Sequence, residues 1–313
     1  MDSVALPPVP LVPLTADNTV PAEHIRHRLA LGLQWLDALT GQPAEGRWVS
    51  ELQAIGARPI VQRFDLHPDG RHALRHGGRL AAVLAKAAAD KVATPPPDST
   101  SDPTNFIVGA WGEARVGAPG YGSGNDPRRY VPRRLSLTPV QTGGVPAGTR
   151  DNIRSASLWP GADYPLAGSV TAVRGRIRRG PAPGSLVPVA WTRVVVTRPA
   201  GAPNFATETQ IGWAHGDDRG EFLAVLGPRA VPGGADLPAN LALRIWVFLP
   251  PTDAFDPADP LASLPLVVAG TDAVDAALDG RQVPSGYVAQ SPIDIGPALG
   301  RVFTMSESDL TFA

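Results

Sequence analysis

The chain has 313 residues and 43% hydrophobic residues, enough to build the cores of roughly two or three small domains. A net charge of −1 gives no electrostatic reason to bind nucleic acid or anionic lipid, and the absence of cysteine excludes disulfides, thiolate metal sites and cysteine nucleophiles. Because 35 prolines and 33 glycines favour short strands and loops, we expect a mainly β fold.

Residues 1–21 predict an extended N-terminal arm. Pro7, Pro8, Pro10 and Pro13 fix the backbone angle φ and prevent a helix. They also interrupt the apolar run, which is shorter than the ~18 apolar residues that a membrane helix needs. No basic segment precedes the run, as one would in a secretion signal. We therefore expect neither a secretion signal nor a membrane span, and we expect the arm to dock on a neighbouring protein.

Residues 22–140 predict a first β domain. Apolar residues alternate from Leu29 to Trp35 before a turn, a pattern that indicates a strand, although a helix would also fit residues 25–36. Short apolar runs between turn residues predict further strands at residues 48–52, 60–64, 106–108 and 130–137. The alanine-rich stretch at residues 78–91 places Leu80, Val83, Leu84 and Ala87 on one face and predicts the one clear helix.

Residues 141–165 predict a linker, and residues 166–250 predict a second β-sandwich. Turn residues 217–220 are followed by alternating Phe222, Ala224 and Leu226, which predicts a hairpin. An alternating strand at residues 241–249 completes this domain. The expected fold is thus mainly β, with two small immunoglobulin-like or transthyretin-like β-sandwich domains, one helix and extended N- and C-terminal arms.

Charge is distributed unevenly along the chain. Residues 128–179 carry ten arginines and two aspartates, whereas residues 251–313, a predicted acidic extension with a short helix at residues 269–278, carry nine acids and two arginines. The planar guanidinium suits protein interfaces and paired carboxylates, so we predict a protein interface rather than nucleic-acid binding. The two blocks can pair within one chain or between chains. The predicted interface residues are Arg128, Arg129, Arg133, Arg134, Arg174, Arg176, Arg178 and Arg179.

A histidine-rich stretch offers one alternative function. His67, Asp69, His72 and His76 are the clustered metal-capable residues, and His72 and His76 could share a helix face as ligand pairs do. They would make the protein a metal-assisted hydrolase. However, the sequence has no HExxH motif, and a turn at residues 67–70 explains Asp69 without a metal ion.

Other candidates for catalysis lack the surroundings that they need. Ser123 stands between glycines but outside the strand-turn-helix pattern of a nucleophile elbow. Asp217, Asp218 and Glu221 crowd one turn, where carboxylates could bind Ca²⁺ or exchange protons. We predict no catalytic residue, no cofactor and no metal site, and therefore a protein that is not an enzyme.

The seven tryptophans are spread evenly along the chain, which predicts that most of them lie in the cores. A second alternative function depends on those that do not. If Trp159 or Trp213 is exposed, its ring could stack on sugars, and the protein would be a carbohydrate- or surface-binding module.

The order of residues in the second predicted domain resembles the carboxypeptidase regulatory-like, or transthyretin-like, domain. That family usually has alanine where Thr192 stands, and its domains are usually non-catalytic. The resemblance therefore implies a β-sandwich scaffold, with residues 217–220 as a structural turn. It is carried by Gly175, Pro188, Val194, Asp217, Gly220 and Phe222.

A wider resemblance spans roughly residues 24–249. The segments DALTGQPA, DPRRYVPRRLSL, LWPGADYPL and GWAHGDDRGEF, in this order, are similar to a protein encoded with contractile injection systems and phage-tail-like particles. The resemblance implies a non-enzymatic subunit with a baseplate, cap or collar, or fibre-attachment role. Its implied partners are sheath, tube, cap or baseplate proteins. We expect it to be oligomeric in the assembly, built in the cytoplasm and released as part of an extracellular particle.

Overall fold

The computed structural model describes residues 28–67, 70–94, 102–115, 120–122, 124–138, 153–227, 239–251, 255–256, 258–270 and 275–313. The predicted N-terminal arm, residues 1–21, lies outside these residues. The described part is mainly β and forms two β-sandwiches, as predicted. None of its helices has the length and apolarity that a membrane crossing needs.

A four-stranded and a five-stranded sheet form the first sandwich around one apolar core. Its elements in the first half of the chain are β1 (Arg28–Asp37), β2 (Trp48–Ile55), β3 (Arg58–Arg63), β4 (Asp65–Leu66), β5 (Arg71–His76), α1 (Gly78–Ala93), β6 (Phe106–Gly112), β7 (Arg133–Leu137) and β8 (Ile153–Leu158). The strand orders are β4-β5-β1-β8 and β7-β6-β2-β3, with one later strand outside β7. Residues 153–158, within the predicted linker, are therefore a strand of the first sandwich.

Side-chain alternation selects the residues of β1 that enter this core. Leu31, Leu33 and Trp35 are at most 2% exposed, as expected for one face of a strand. Phe106 and Val108 of β6 belong to the same core, and α1 covers it with Leu80 and Ala87. The strand predicted at residues 29–35 and the helix predicted at residues 78–91 are thus confirmed.

The second sandwich packs Val194 and Val196 against Phe222 and Ala224. Its first seven strands are β9 (Ala172–Arg176), β10 (Arg178–Arg179), β11 (Val187–Pro188), β12 (Arg193–Arg198), β13 (Thr209–His215), β14 (Glu221–Val225) and β15 (Leu243–Leu249). One sheet runs β13-β12-β15, the other pairs β14 with β9, and β10 and β11 form a short ribbon. The strand predicted at residues 241–249 is confirmed as β15.

The turn at residues 217–220 does not close a hairpin, contrary to the prediction. β13 pairs with β12, whereas β14 pairs with β9 in another sheet. The Asp217 carboxylate accepts hydrogen bonds from the N–H groups of Arg219 and Glu221, and Gly220 adopts a φ of 74°. These features redirect the chain between the two sheets, so the alternating pattern identifies a strand without identifying its partner.

The last part of the chain returns to both sandwiches. Its elements are β16 (Leu266–Ala269), α2 (Ala276–Asp279), β17 (Val288–Ala289), β18 (Ile293–Ile295), β19 (Val302–Thr304) and β20 (Thr311–Phe312). β16 pairs with β7 of the first sandwich, and β17 to β20 pair with strands of the second. The helix predicted at residues 269–278 is wrong in extent, because Ala269 ends β16 and α2 begins only after Asp275, whose carboxylate caps it. The predicted acidic extension therefore contributes strands to both sandwiches.

Candidate interaction site

The predicted interface arginines divide into two groups. Arg128 and Arg133 are only 5% and 3% exposed. Both side chains are therefore internal and do not belong to an exposed interface. The other six are partly or fully exposed, namely Arg129, Arg134, Arg174, Arg176, Arg178 and Arg179. Sequence position could not separate the groups, because buried and exposed arginines alternate within the same segment.

Arg128 lies where the two sandwiches meet. Its Nη1 donates hydrogen bonds to Asp217 Oδ2 at 2.5 Å and to Asp218 Oδ1 at 3.1 Å, and all three side chains are buried. Arg128 belongs to the segment before β7, whereas both carboxylates belong to the turn between β13 and β14. The ion pairs therefore join the first sandwich to the second. The crowded acids of this turn have a structural partner.

A third carboxylate, Asp126, lies beside this pair, and its Oδ1 accepts a hydrogen bond from the backbone N–H of Arg128. Burial raises the pKa of Asp126 to about 6, although Arg128 opposes the shift. Burial also raises the pKa of Asp217 to about 6 against the opposing charge of Arg128. We call Asp126, Arg128, Asp217 and Asp218 the seam cluster. Burial of this cluster therefore costs less free energy when one of its carboxyl groups is protonated.

We expect Asp126→Asn to stabilise the fold at pH 8 and to have little effect at pH 4. Because the pKa of Asp126 is raised from 3.8 to about 6 in the fold, its stabilising contribution is present below pH 4 and is lost as the pH rises through 6. Asparagine keeps the acceptor oxygen for the Arg128 N–H and carries no charge. The gain at pH 8 should be about 1–3 kcal/mol, measured by urea unfolding at both pH values.

Asp256→Asn is the matched control for this experiment. Asp256 makes the same kind of bond, to the backbone N–H two residues ahead, but it is exposed. Its substitution should change the unfolding free energy equally at both pH values. If Asp126→Asn behaved like this control, burial of the Asp126 charge would not limit stability.

Arg133 fastens α2 to the first sandwich. Its guanidinium donates hydrogen bonds to the carbonyls of Ser157 and Leu278 at 2.6 and 2.7 Å, and to the carbonyl of Ala277. Burial lowers its pKa, and the neighbouring charge of Arg193 lowers it further. Backbone dipoles rather than carboxylates therefore hold this charge in place.

Four of the partly or fully exposed arginines follow one another on two successive strands, and we call them the basic ridge. They lie on β9 and β10, at the outside of the second sandwich. Alternation along β9 puts the first two on the same face, and the other two follow on β10 after the buried Ile177. The members of the basic ridge are Arg174, Arg176, Arg178 and Arg179.

The C-terminal segment supplies most of the present partners of the basic ridge. Arg178 Nη1 donates to Glu307 Oε2 at 2.9 Å, and Arg174 Nε donates to Thr304 Oγ1 at 3.0 Å. Basic and acidic residues of the two charge blocks thus meet within one chain. Exposed pairs of this kind contribute only about 0–1 kcal/mol each, so an external carboxylate can compete for them.

Arg129 and Arg134 face different surroundings. Arg129 pairs with Glu45 and lies 5.8 Å from the centre of the Tyr130 ring. Arg134 lines a polar cleft of about 420 Å³ together with Glu51 and Asp259. Burial raises the pKa of Glu51 in this cleft although Arg63 opposes the shift. Arg134 therefore shares its cleft with two acids of its own chain.

An apolar groove of about 590 Å³ lies beside one end of the basic ridge. This groove was not predicted from the sequence. Two features could have indicated an apolar surface with few backbone N–H donors, namely the paired prolines directly after a strand and the Val-Pro strand. Arg179 and Asp218 lie on its rim. The residues that define the apolar groove are Val187, Pro188, Trp191, Pro250, Pro251 and Phe255.

All seven tryptophans are buried, at 9% exposure or less, which confirms that they lie in the cores. Trp159 and Trp213, proposed above as sugar-stacking platforms, are 4% and 6% exposed. Their ring faces pack in a cluster with Trp246 and Phe248. The carbohydrate-binding alternative loses the exposed rings on which it depended.

The histidines lie on a strand rather than on a helix. His72 of β5 is 3% exposed, and burial lowers its pKa to about 4, whereas His76 at the end of β5 is exposed. Asp69, the carboxylate expected to complete the site beside the histidines, and Ser123 lie outside the described residues. Within the described ranges, no group of three or more His, Asp or Glu side chains is arranged to hold a metal ion. The metal-assisted hydrolase thus has no site in that part of the chain.

No protein-family model matches the chain, and no curated protein matches it. Among solved structures, the chain is similar to a 9R-lipoxygenase from Cyanothece, with 17% identity over 46% of this chain and 16% of that chain and a TM-score of 0.24. It is also similar to a minor pilin, GBS52, of Streptococcus agalactiae, with 8% identity over 88% of this chain and 93% of the pilin and a TM-score of 0.22. The TIE protein of Bacillus anthracis matches with 8% identity over 88% of this chain and 33% of that chain, and a TM-score of 0.20. The chain thus spans a small part of the lipoxygenase, and likenesses with these TM-scores carry no argument about function.

Proposed function

We propose that the protein is a non-enzymatic structural subunit of a contractile injection system or phage-tail-like particle, in which it binds neighbouring subunits. The basic ridge is the observation that carries this proposal. It presents four arginines on two successive strands of the second sandwich, where they are only partly engaged by their own chain. The resemblance of the ordered sequence segments to proteins of such particles supports the choice of assembly.

The chemistry of the basic ridge suits an acidic protein surface. Guanidinium groups can bind carboxylates through two parallel hydrogen bonds, which fixes orientation as well as adding energy. Arg174 and Arg176 project from the same face of β9, so carboxylates on a neighbouring chain could engage both. Each contact is weak alone, but repeated copies in a particle make such contacts cumulative.

The contacts of the residues considered for catalysis support a structural role. Asp217 and Asp218 are held by Arg128, and His72 is buried in the first sandwich. The seam cluster and the returning C-terminal segment tie the two sandwiches together. A subunit that holds its neighbours at fixed positions needs its two domains connected in this way.

We expect the double charge reversal Arg174→Glu with Arg176→Glu to reduce binding to the assembled particle at least tenfold. The new carboxylates would repel the acidic surface that the ridge is proposed to bind. The variant chain would be expressed in the producing cells in place of the unmodified one, and its amount in purified particles would be measured by quantitative mass spectrometry.

The matched control is Arg75→Glu with Arg79→Glu, which changes the charge equally at two exposed positions of the first sandwich. It should leave the amount of bound protein unchanged. Thermal unfolding would first show that both variants fold. Absence of the unmodified chain from purified particles, or equal incorporation of both variants, would contradict the proposed function.

A further inference from the structure

The apolar groove contains exposed apolar side chains, among the residues that the structure describes. Val187 is 59% exposed and Phe255 is 44% exposed. Both line the groove together with Trp191. Val288, 60% exposed, extends the patch because it pairs with Leu249 directly before Pro250. Contiguous apolar patches of this kind mark surfaces that another chain covers.

Prolines decide what kind of segment can bind there. Pro188 lies in β11, the outer strand of its sheet, and Pro250 and Pro251 follow the end of β15. Proline has no backbone N–H, so these walls cannot extend a regular β ladder. The groove therefore favours a segment held by side-chain contact. Polyproline segments are of this type, and they dock in grooves lined by aromatic residues.

Arg179 places a guanidinium group at the rim of the groove. Its Nε is buried and makes no hydrogen bond within the described part of the chain. The indole N–H of Trp191 is already engaged by Pro260 and Ser263. A polyproline segment carries backbone carbonyls without internal partners, so an arginine at the rim complements it.

The N-terminal sequence supplies a segment with this chemistry. Residues 4–14 read VALPPVPLVPL, which is uncharged and contains four prolines. β1 begins at Arg28, so the segment is tethered by the residues between. The 13 residues between Leu14 and Arg28 reach roughly 40 Å if extended at ~3.1 Å per residue, which is enough to reach a neighbouring molecule.

The start of β1 lies on the side of the first sandwich away from the groove. At the other end of β1, Asp37 accepts a hydrogen bond from the Tyr130 hydroxyl, and the adjacent Val131 packs with Trp191 of the groove. A ten-residue strand spans about 33 Å. The arm is therefore attached at the end of β1 opposite to the one near its own groove.

We propose that the apolar groove binds residues 4–14 of a second copy of this chain, so that copies link head to tail. The proposal deepens the structural role proposed above and depends on it for the presence of repeated copies. The basic ridge would bind other subunits of the particle, whereas the groove would bind this chain itself. The two surfaces thus serve different contacts.

The test uses the full chain with a photo-cross-linking residue, Val9→p-benzoylphenylalanine, mixed with an isotope-labelled copy. We expect cross-linked dimers that join labelled and unlabelled chains, with the cross-link on a peptide containing Val187 or Phe255. Phe255→Asp in the labelled copy should reduce the yield at least tenfold. Val61→Asp, a change at a more exposed valine of β3, should leave it unchanged.

Three results would overturn the proposal. These are cross-links within one chain only, cross-links to surfaces outside the groove, and the absence of any cross-link at the highest concentration of soluble protein. Phe255 is exposed, so its substitution should leave folding intact, and thermal unfolding would verify this. Because the assay uses the isolated chain, its failure is distinguishable from the absence of the protein in particles, which would refute the proposed function instead.

Discussion

Replacing Arg128 with alanine is expected to destabilise the fold by about 3–5 kcal/mol, the usual cost of removing one partner from a buried ion pair. The loss would leave Asp217 and Asp218 buried without their guanidinium, with Asp126 close by. The effect should be measurable as a lower urea midpoint. Because the seam cluster joins the sandwiches, we also expect faster proteolysis between them.

The effect should depend on pH in a defined direction. Burial already raises the pKa of Asp217 to about 6 in the presence of Arg128, and removal of the cation would raise it further. At pH 5 the carboxyl groups can take up protons and remain buried as neutral groups. At pH 8 they must either stay buried as charged groups or take up protons, and both cost free energy. The destabilisation by Arg128→Ala should therefore be larger at pH 8 than at pH 5.

Arg129→Ala is the control, because the neighbouring arginine pairs with an exposed carboxylate of Glu45. Its substitution should cost no more than about 1 kcal/mol. A triple variant, Arg128→Met with Asp217→Asn and Asp218→Asn, should recover part of the lost stability by removing the uncompensated charges. An equal loss for Arg128→Ala and Arg129→Ala would show that the seam cluster does not hold the sandwiches together.

Local patterns in the sequence predict most elements of this fold. Alternation marks β1 through Leu31, Leu33 and Trp35, and the alanine-rich run marks α1, because each pattern reports which side chains face a core. The same patterns do not state which strands pair. The turn at residues 217–220 illustrates the limit, since the strands on either side of it belong to different sheets.

Long-range contacts explain the features that sequence reasoning missed. β16 joins the first sandwich although the chain has by then completed much of the second, and no local pattern encodes that return. Arg128 and Arg174 look alike in the sequence, yet one is 5% exposed and the other lies at the surface. Burial depends on the segments that cover each residue, which are distant in sequence.

Gly220→Ala is expected to cost about 3 kcal/mol or more, the size expected when a strained backbone position is combined with a steric clash. Gly220 adopts a φ of 74°, and a Cβ atom there would lie 2.4 Å from the carbonyl oxygen of Ile177. The obstacle is backbone, so a side-chain rotation cannot relieve it. Gly41→Ala separates the two causes, because Gly41 has a φ of 68° with nothing within 4 Å of the added atom. That control should cost only about 1–2 kcal/mol, the penalty for the left-handed conformation.

The two largest effects should also be coupled. Gly220 ends the turn that holds Asp217 and Asp218 against Arg128, and its carbonyl accepts the N–H of Ile177 at 2.8 Å. A turn displaced by the alanine methyl group would move both carboxylates away from the guanidinium, so Gly220→Ala already removes part of what Arg128→Ala removes. The double variant should therefore lose less stability than the two single losses combined. Urea unfolding of all four proteins at pH 8 gives the coupling directly. Strict additivity would mean that the glycine shapes the turn without positioning the acids of the seam cluster.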